Sequence, residues 1–141
     1  MTGAGVLEGA CLCMAVRFEV EPPLLWCAHC HCEYCRRAHG AAFVTWVGVA
    51  RERFRLTAGA DLLRTFGVSE EARRQFCHRC GSMLFFTGDR WPGEVHVARA
   101  HFLTPVPLLP QGHAYFEQAV DWRHTEEPAA AAAAPAAGGA P

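Results

Sequence analysis

The sequence predicts a mostly β domain, small, antiparallel and sandwich-like, with one short helix and a disordered C-terminal tail. Three observations predict it. Apolar and polar residues alternate with period two in a succession of short runs, Gly-containing or charged turns separate those runs, and a single segment has helical character. At 141 residues with a low-complexity end, the chain has room for one domain with a real core and not for two.

Val16-Arg17-Phe18-Glu19-Val20 alternates strictly and is halted by Pro22-Pro23, the signature of a half-buried strand, directly after Cys11-Leu12-Cys13. Phe43 to Val49, Phe54 to Leu56, Leu62 to Phe66, Arg73 to Phe76, Ser82 to Phe86 and Glu94 to Ala98 read as further strands. Glu33 to His39 reads as the helix, ended by Gly40 at the position just past a helix where glycine is favoured. Pro105, Pro107 and Pro110 make the stretch beyond the last strand an extended crossing. From Glu126 to Pro141 almost every residue is Ala, Gly or Pro, with nothing bulky to bury, so disorder is expected there. The folded domain is expected over residues 1–125 and the tail over 126–141.

All thirteen basic residues are Arg and the formal net charge is -1, so no positive field gathers phosphates and nucleic acid is not an expected partner. The first twenty residues include Glu8 and Arg17 and lack an apolar stretch behind a basic start. No segment reaches the roughly 18 apolar residues of a membrane span, so no membrane partner and a cytoplasmic location are expected. Thiols stay reduced there, and eight cysteines then point to metal before disulfides.

Cys77-His78-Arg79-Cys80-Gly81 is the strongest local signal, because two residues between cysteines let a tight turn aim both sulfurs at one ion while Gly81 completes the turn. Cys11 and Cys13 could supply the other half of that site. On a strand they would point to opposite faces, so a shared ion requires a loop or bulge at this point. Four thiolates around zinc leave no position for substrate, and such a site is structural. The segment Cys27-Ala28-His29-Cys30-His31-Cys32-Glu33-Tyr34-Cys35 is denser than a core needs and suggests a second metal. Its spacing matches neither common ferredoxin pattern, so zinc is favoured over an iron–sulfur cluster, and Cys27 is either a fourth ligand or a spectator. Cys32 and Cys35 also form a C-x-x-C pair, but without a βαβ context a redox role is disfavoured.

With these pieces placed, the chain resembles the glutathione-dependent formaldehyde-activating enzyme family, also named after centromere protein V. The resembling elements run in the family's order over roughly residues 8 to 122. They are Cys11-Leu12-Cys13 ahead of the Val16 to Val20 strand, Cys30-His31-Cys32-Glu33-Tyr34-Cys35-Arg36-Arg37 followed by Gly40-Ala41-Ala42-Phe43, and Phe76-Cys77-His78-Arg79-Cys80-Gly81-Ser82. The resemblance implies a mainly β fold stapled by two zinc ions per chain, with Cys11, Cys13, Cys77 and Cys80 on the structural one and Cys30, Cys32 and Cys35 on the catalytic one. Cys27 lies outside the family pattern, as does Met14, where a glycine is usual.

A zinc held by three thiolates is blunted for acidifying water but well matched to a soft sulfur in its fourth position. The expected partners are therefore a small thiol and an aldehyde, joined or parted as an S-hydroxyalkyl adduct. This is carbon–sulfur lyase or synthase chemistry, and for glutathione and formaldehyde the adduct is S-(hydroxymethyl)glutathione. The competing reading is a zinc-stabilised protein-binding module without turnover. Arg36 and Arg37 are candidates for a substrate carboxylate, against a solvated helix face for at least one of them. His31 is a candidate ligand support or proton carrier, with His29, His39, His78, His101 and His113 weaker. Trp46, Trp91 and Trp122 read as core or rim aromatics.

Overall fold

A computed structural model describes residues 5–69 and 71–123, so the expected tail over 126–141 lies outside the described residues. The alternating runs become strands. Β-strands β1 (Leu7–Ala10), β2 (Arg17–Val20) and β5 (Phe54–Ala58) form a three-stranded antiparallel sheet in the order β1-β2-β5. The second sheet has seven strands in the order β10-β3-β4-β9-β8-β7-β6: β3 (Trp26–Cys30), β4 (Val44–Ala50), β6 (Leu63–Ser69), β7 (Ala72–Cys77), β8 (Met83–Gly88), β9 (Glu94–Ala98) and β10 (His113–Ala114). All of its pairings are antiparallel except that of β10 with β3. The single α-helix among the described residues, α1 (Glu33–His39), joins β3 to β4. No described helix is long and apolar enough to cross a membrane.

The expected strands appear with their bounds moved by up to three residues, and three strands are additional. β10 is a two-residue pairing, and β1 is short. β3 escaped because Trp26-Cys27-Ala28-His29-Cys30 shows no apolar–polar alternation: Trp26 and Ala28 on one face are as apolar as Cys27 on the other, so the pattern carries no period.

The two sheets meet through rings. Phe18 of β2 packs edge-on against Phe85 of β8 at 5.2 Å, and Phe54 of β5 against the same ring at 4.9 Å. Val16, Val20, Val47, Val49, Leu84 and Val97 fill the space around them, fully enclosed. Gly9 is required there, because a Cβ at that position would lie 2.1 Å from Phe18 Cζ and 2.7 Å from the His101 carbonyl oxygen.

The opposite face of the large sheet carries a cross-strand row. Arg74 pairs with Phe86, Phe86 with His96, His96 with Gly48, and Gly48 with Trp26, from β7 across β8, β9 and β4 to β3. Directly opposed residues share a face, so the row forms one surface. Gly48 lets the Trp26 indole lie across it, since a Cβ there would stand 2.3 Å from Trp26 Cε2 and Nε1.

Candidate functional site

Two groups of cysteine sulfurs converge, and all eight cysteines are free thiols. Cys11, Cys13, Cys77 and Cys80 place their Sγ atoms within 4.8 Å of one another. Cys11 and Cys13 lie in a turn and not on a strand, which removes the opposite-face objection. The Met14 N–H donates to the Cys11 carbonyl at 2.9 Å, and Met14 takes φ 69°, a left-handed conformation that a glycine adopts without strain. On the other side Cys77 closes β7, the Gly81 N–H donates to the Cys77 carbonyl at 2.7 Å, and Gly81 takes φ 82° as the turn demands. Sulfur separations of 3.6 Å (Cys11 to Cys13) and 3.9 Å (Cys13 to Cys77) are too long for a disulfide. They bracket the ~3.8 Å edge of a tetrahedron with metal–sulfur bonds of about 2.3 Å. Against the penalty of burial, hydrogen bonding from Ser82 holds the Cys80 thiol down to about 5, already in the form a metal binds. This tetrad could hold a metal ion as a closed site, and it faces the core between the sheets.

Cys30, Cys32 and Cys35 form the second group, again within 4.8 Å, and no fourth Cys, His, Asp or Glu joins it among the described residues. Cys30 ends β3, Cys32 is the N-cap of α1, and Cys35 sits in the first helical turn. The Cys32 sulfur accepts the Cys35 N–H at 3.3 Å. Gly40 ends the helix in the left-handed conformation (φ 62°), as read from the sequence. Hydrogen bonds from the Cys30 and Cys35 thiols hold Cys32 down to about 2, aided by the Cys35 N–H and the charge of Arg74, while the same contacts push Cys30 up. Donor number and chemistry suit a metal ion with one position left over.

Cys27 belongs to neither group. It lies three residues before Cys30 on β3, hence on the opposite face, and is 1% exposed among Val47, Val97 and Leu84 in the inter-sheet core. Burial pushes its thiol up, with Arg99 opposing.

The triplet borders a cavity of about 760 Å³ whose lining includes Trp26, Trp46, Arg74, Phe86, Trp91 and His96. Trp46 Nε1–H donates to Cys35 Sγ at 3.4 Å. Arg74 is a residue that sequence reasoning missed. Only 6% exposed, it donates from Nη2 toward Cys35 Sγ at 3.7 Å, lies 5.1 Å over the Phe86 ring, and leaves Nη1 without a hydrogen-bond partner. No carboxylate pairs with it among the described residues, so the thiol triplet is its counter-charge. Its signal in the sequence is slight: an arginine at an inward position of an otherwise exposed-looking Ala72-Arg73-Arg74-Gln75 run. His96 was missed too; it is buried, and its Nε2 meets Glu94 Oε1 at 2.8 Å.

The arginine and histidine candidates from the sequence lie outside the cavity lining. Arg37 pairs with Glu33 on the solvated helix face, its side chain 75% exposed, and Arg36 Nε donates to the His31 carbonyl at 3.1 Å. The His31 ring is buried against Phe43, Phe116 and His113, with Nε2 2.9 Å from His113 Nδ1, so it backs the cysteine segment from the far side. His29 meets Thr45 Oγ1 at 2.8 Å, and His101 donates to the Met83 carbonyl at 2.9 Å. His39 stacks edge-on with Trp46, and burial together with Arg74 lowers it to about 4. Trp46 and Trp91 line the cavity, whereas Trp122 is exposed. Because β3 and β4 are antiparallel, Cys32 and Cys35 lack the βαβ setting of a thioredoxin-like pair.

The comparisons agree with this geometry. A Halomonas elongata protein provisionally named a glutathione-dependent formaldehyde-activating enzyme is 30% identical over 129 residues, 86% of this chain and 82% of its own length. An uncharacterized lyase of Schizosaccharomyces pombe is 32% identical over 81 residues, 56% of each protein. A solved Rhodobacter sphaeroides protein from structural genomics is 27% identical with a TM-score of 0.63, over 76% of this chain and 99% of that one. The family model for glutathione-dependent formaldehyde-activating enzymes matches residues 6–118, a span that holds both sulfur groups and the cavity. The chain belongs to the glutathione-dependent formaldehyde-activating enzyme family.

Proposed function

We propose that this protein is a zinc-dependent carbon–sulfur lyase, reversible as a synthase, acting on S-hydroxyalkyl thiol adducts of which S-(hydroxymethyl)glutathione, from glutathione and formaldehyde, is the reference case. One observation carries the reading: the incomplete thiol triplet borders a ligand-sized cavity, whereas the complete tetrad faces the core. On this reading Cys11, Cys13, Cys77 and Cys80 hold a structural zinc and Cys30, Cys32 and Cys35 a catalytic one. When bound at the triplet, zinc supplies Lewis acidity that favours the thiolate form of a substrate thiol.

The chain's own residues do the rest. Arg74 offsets the negative charge of three thiolates inside a poorly hydrated wall. The Trp46 indole N–H fixes Cys35 Sγ in place. The cavity holds the thiol and carbonyl carbon side by side, which converts a bimolecular encounter into a positioned one. Eight free thiols suit a reducing, cytoplasmic compartment, and a net charge of -1 suits small-molecule over nucleic-acid partners. On this reading the folded domain spans 1–125, around described elements that run from Leu7 to Gln118.

The test is metal content and exchange kinetics together. Wild type is expected to hold two zinc ions and to accelerate adduct formation from glutathione and formaldehyde. Cys30→Ser is expected to hold one, to keep its circular dichroism spectrum, and to lose the acceleration. Unchanged exchange kinetics in Cys30→Ser would remove the assignment.

A further inference from the structure

The cavity, at about 760 Å³, falls within the roughly 300–1,000 Å³ of pockets that enclose a whole drug-sized ligand, and its wall bears on what that ligand carries. One continuous part of the wall is made of rings. From Trp46, hydrogen-bonded to Cys35 Sγ, ring contacts run without a break: Phe86 at 6.2 Å, Trp91 at 5.7 Å from Phe86, His96 at 5.3 Å from Trp91, and Trp26 at 4.6 Å from His96. Trp26, Phe86 and Trp91 are only partly buried, although the inter-sheet core encloses Phe18 and Phe85 completely. Large rings left wet along a concave wall beside reactive thiols form a ligand surface, because a ring in the ligand would recover the contacts they forgo. The wall's one buried cation, Arg74, already lies over Phe86 and faces the sulfurs, and the remaining charged and polar lining, Glu33, Ser69, Glu71, Arg90 and Gln118, is exposed, so the ring run is the partly buried surface left for an apolar part of a substrate.

We propose that the carbonyl half of the substrate carries an aromatic ring, so that the substrate class is the S-hydroxy(aryl)methyl thiol adduct, with sulfur at Cys30, Cys32 and Cys35 and the ring on the Trp46-Phe86-Trp91-Trp26 wall. This rests on the lyase reading above and narrows it. Cleavage breaks the carbon–sulfur bond, whose electron pair leaves with sulfur. The carbinol O–H gives up its proton, which ends on the thiol, and the carbon–oxygen bond becomes the carbonyl of an aryl aldehyde. No oxidant or reductant is consumed.

Two measurements on the zinc-loaded 141-residue chain test it. In the first, tryptophan fluorescence is titrated with benzyl mercaptan, which sets a ring one carbon from sulfur as the adduct does, and with ringless 2-mercaptoethanol. Benzyl mercaptan is expected to bind at least ~10-fold more tightly, with the preference kept in Trp91→Phe and lost in Trp91→Ala. Equal affinities in wild type overturn the proposal. In the second, NMR exchange rates are compared for glutathione with benzaldehyde and with formaldehyde. The benzaldehyde arm is expected to show a kcat/KM about 10-fold higher, and Trp91→Ala to collapse that ratio. A faster formaldehyde arm, with a ratio indifferent to Trp91, overturns the aromatic class and leaves the lyase reading standing. No acceleration of either adduct, with selective benzyl mercaptan binding retained, overturns the lyase reading and supports the ligand class.

Discussion

Replacing Cys27 with alanine separates two roles for this thiol that are indistinguishable from the sequence. The side chain is 1% exposed and packs in the inter-sheet core, on the face of β3 opposite Cys30. Cys27→Ala removes one sulfur atom from that core. A void of on the order of 25 Å³ costs about 0.6 kcal/mol at ~24 cal/mol per Å³. Lost burial of one heavy atom adds about 0.8 kcal/mol, taking a methylene as the nearest equivalent. The sum, about 1.4 kcal/mol, lowers Tm by roughly 5 °C for a domain of this size. Metal content should not change. The assay pairs elemental analysis of zinc per chain with calorimetry, and Cys30→Ala serves as the comparison that sheds one equivalent. If Cys27→Ala also shed one equivalent, the opposite-face argument would be wrong and the triplet would be a closed four-thiolate site.

Met14→Gly should stabilise the protein by about 0.5–1 kcal/mol in urea titrations, because a left-handed non-glycine residue costs ~1–2 kcal/mol and the entropy of the unfolded glycine returns part of that. Gly48→Ala should destabilise by about 1–3 kcal/mol and shift the tryptophan emission spectrum, since the new methyl displaces the Trp26 indole that lies 2.3 Å away; an unchanged spectrum would contradict the packing described for the cavity floor. Stability should fall as pH drops from about 6.5 toward 4. Burial lowers His39 to about 4 and also lowers His96 and His101, so the unfolded chain binds more protons in that window and urea midpoints should decline through it.

Much of the site could be read in one dimension because the relevant physics is local. The Cys77 to Gly81 turn, the helix from Glu33 to Gly40 with Cys32 at its cap, and the alternating strands each depend on residues a few positions apart. Thiol spacing of that kind points to sulfurs that could share an ion, and the two groups of sulfurs do converge. The Cys11 and Cys13 pair was harder, because strand geometry argued against it, and the answer lay in a turn completed by Met14 in a glycine-like conformation.

Fold class, the helix and the seven cysteines of the two sulfur groups were thus legible in the order of the residues, with Cys27 left open between ligand and spectator. The tertiary structure alone decided which side of β3 Cys27 takes, that Arg74 and not Arg36 or Arg37 is the cation beside the thiols, and that Trp26, Phe86 and Trp91 share a wall with Cys35. These facts depend on register between strands distant in the chain. The row from Arg74 through Phe86, His96 and Gly48 to Trp26 crosses five strands, and a shift of one residue in any pairing would turn that strand's member of the row to the other face.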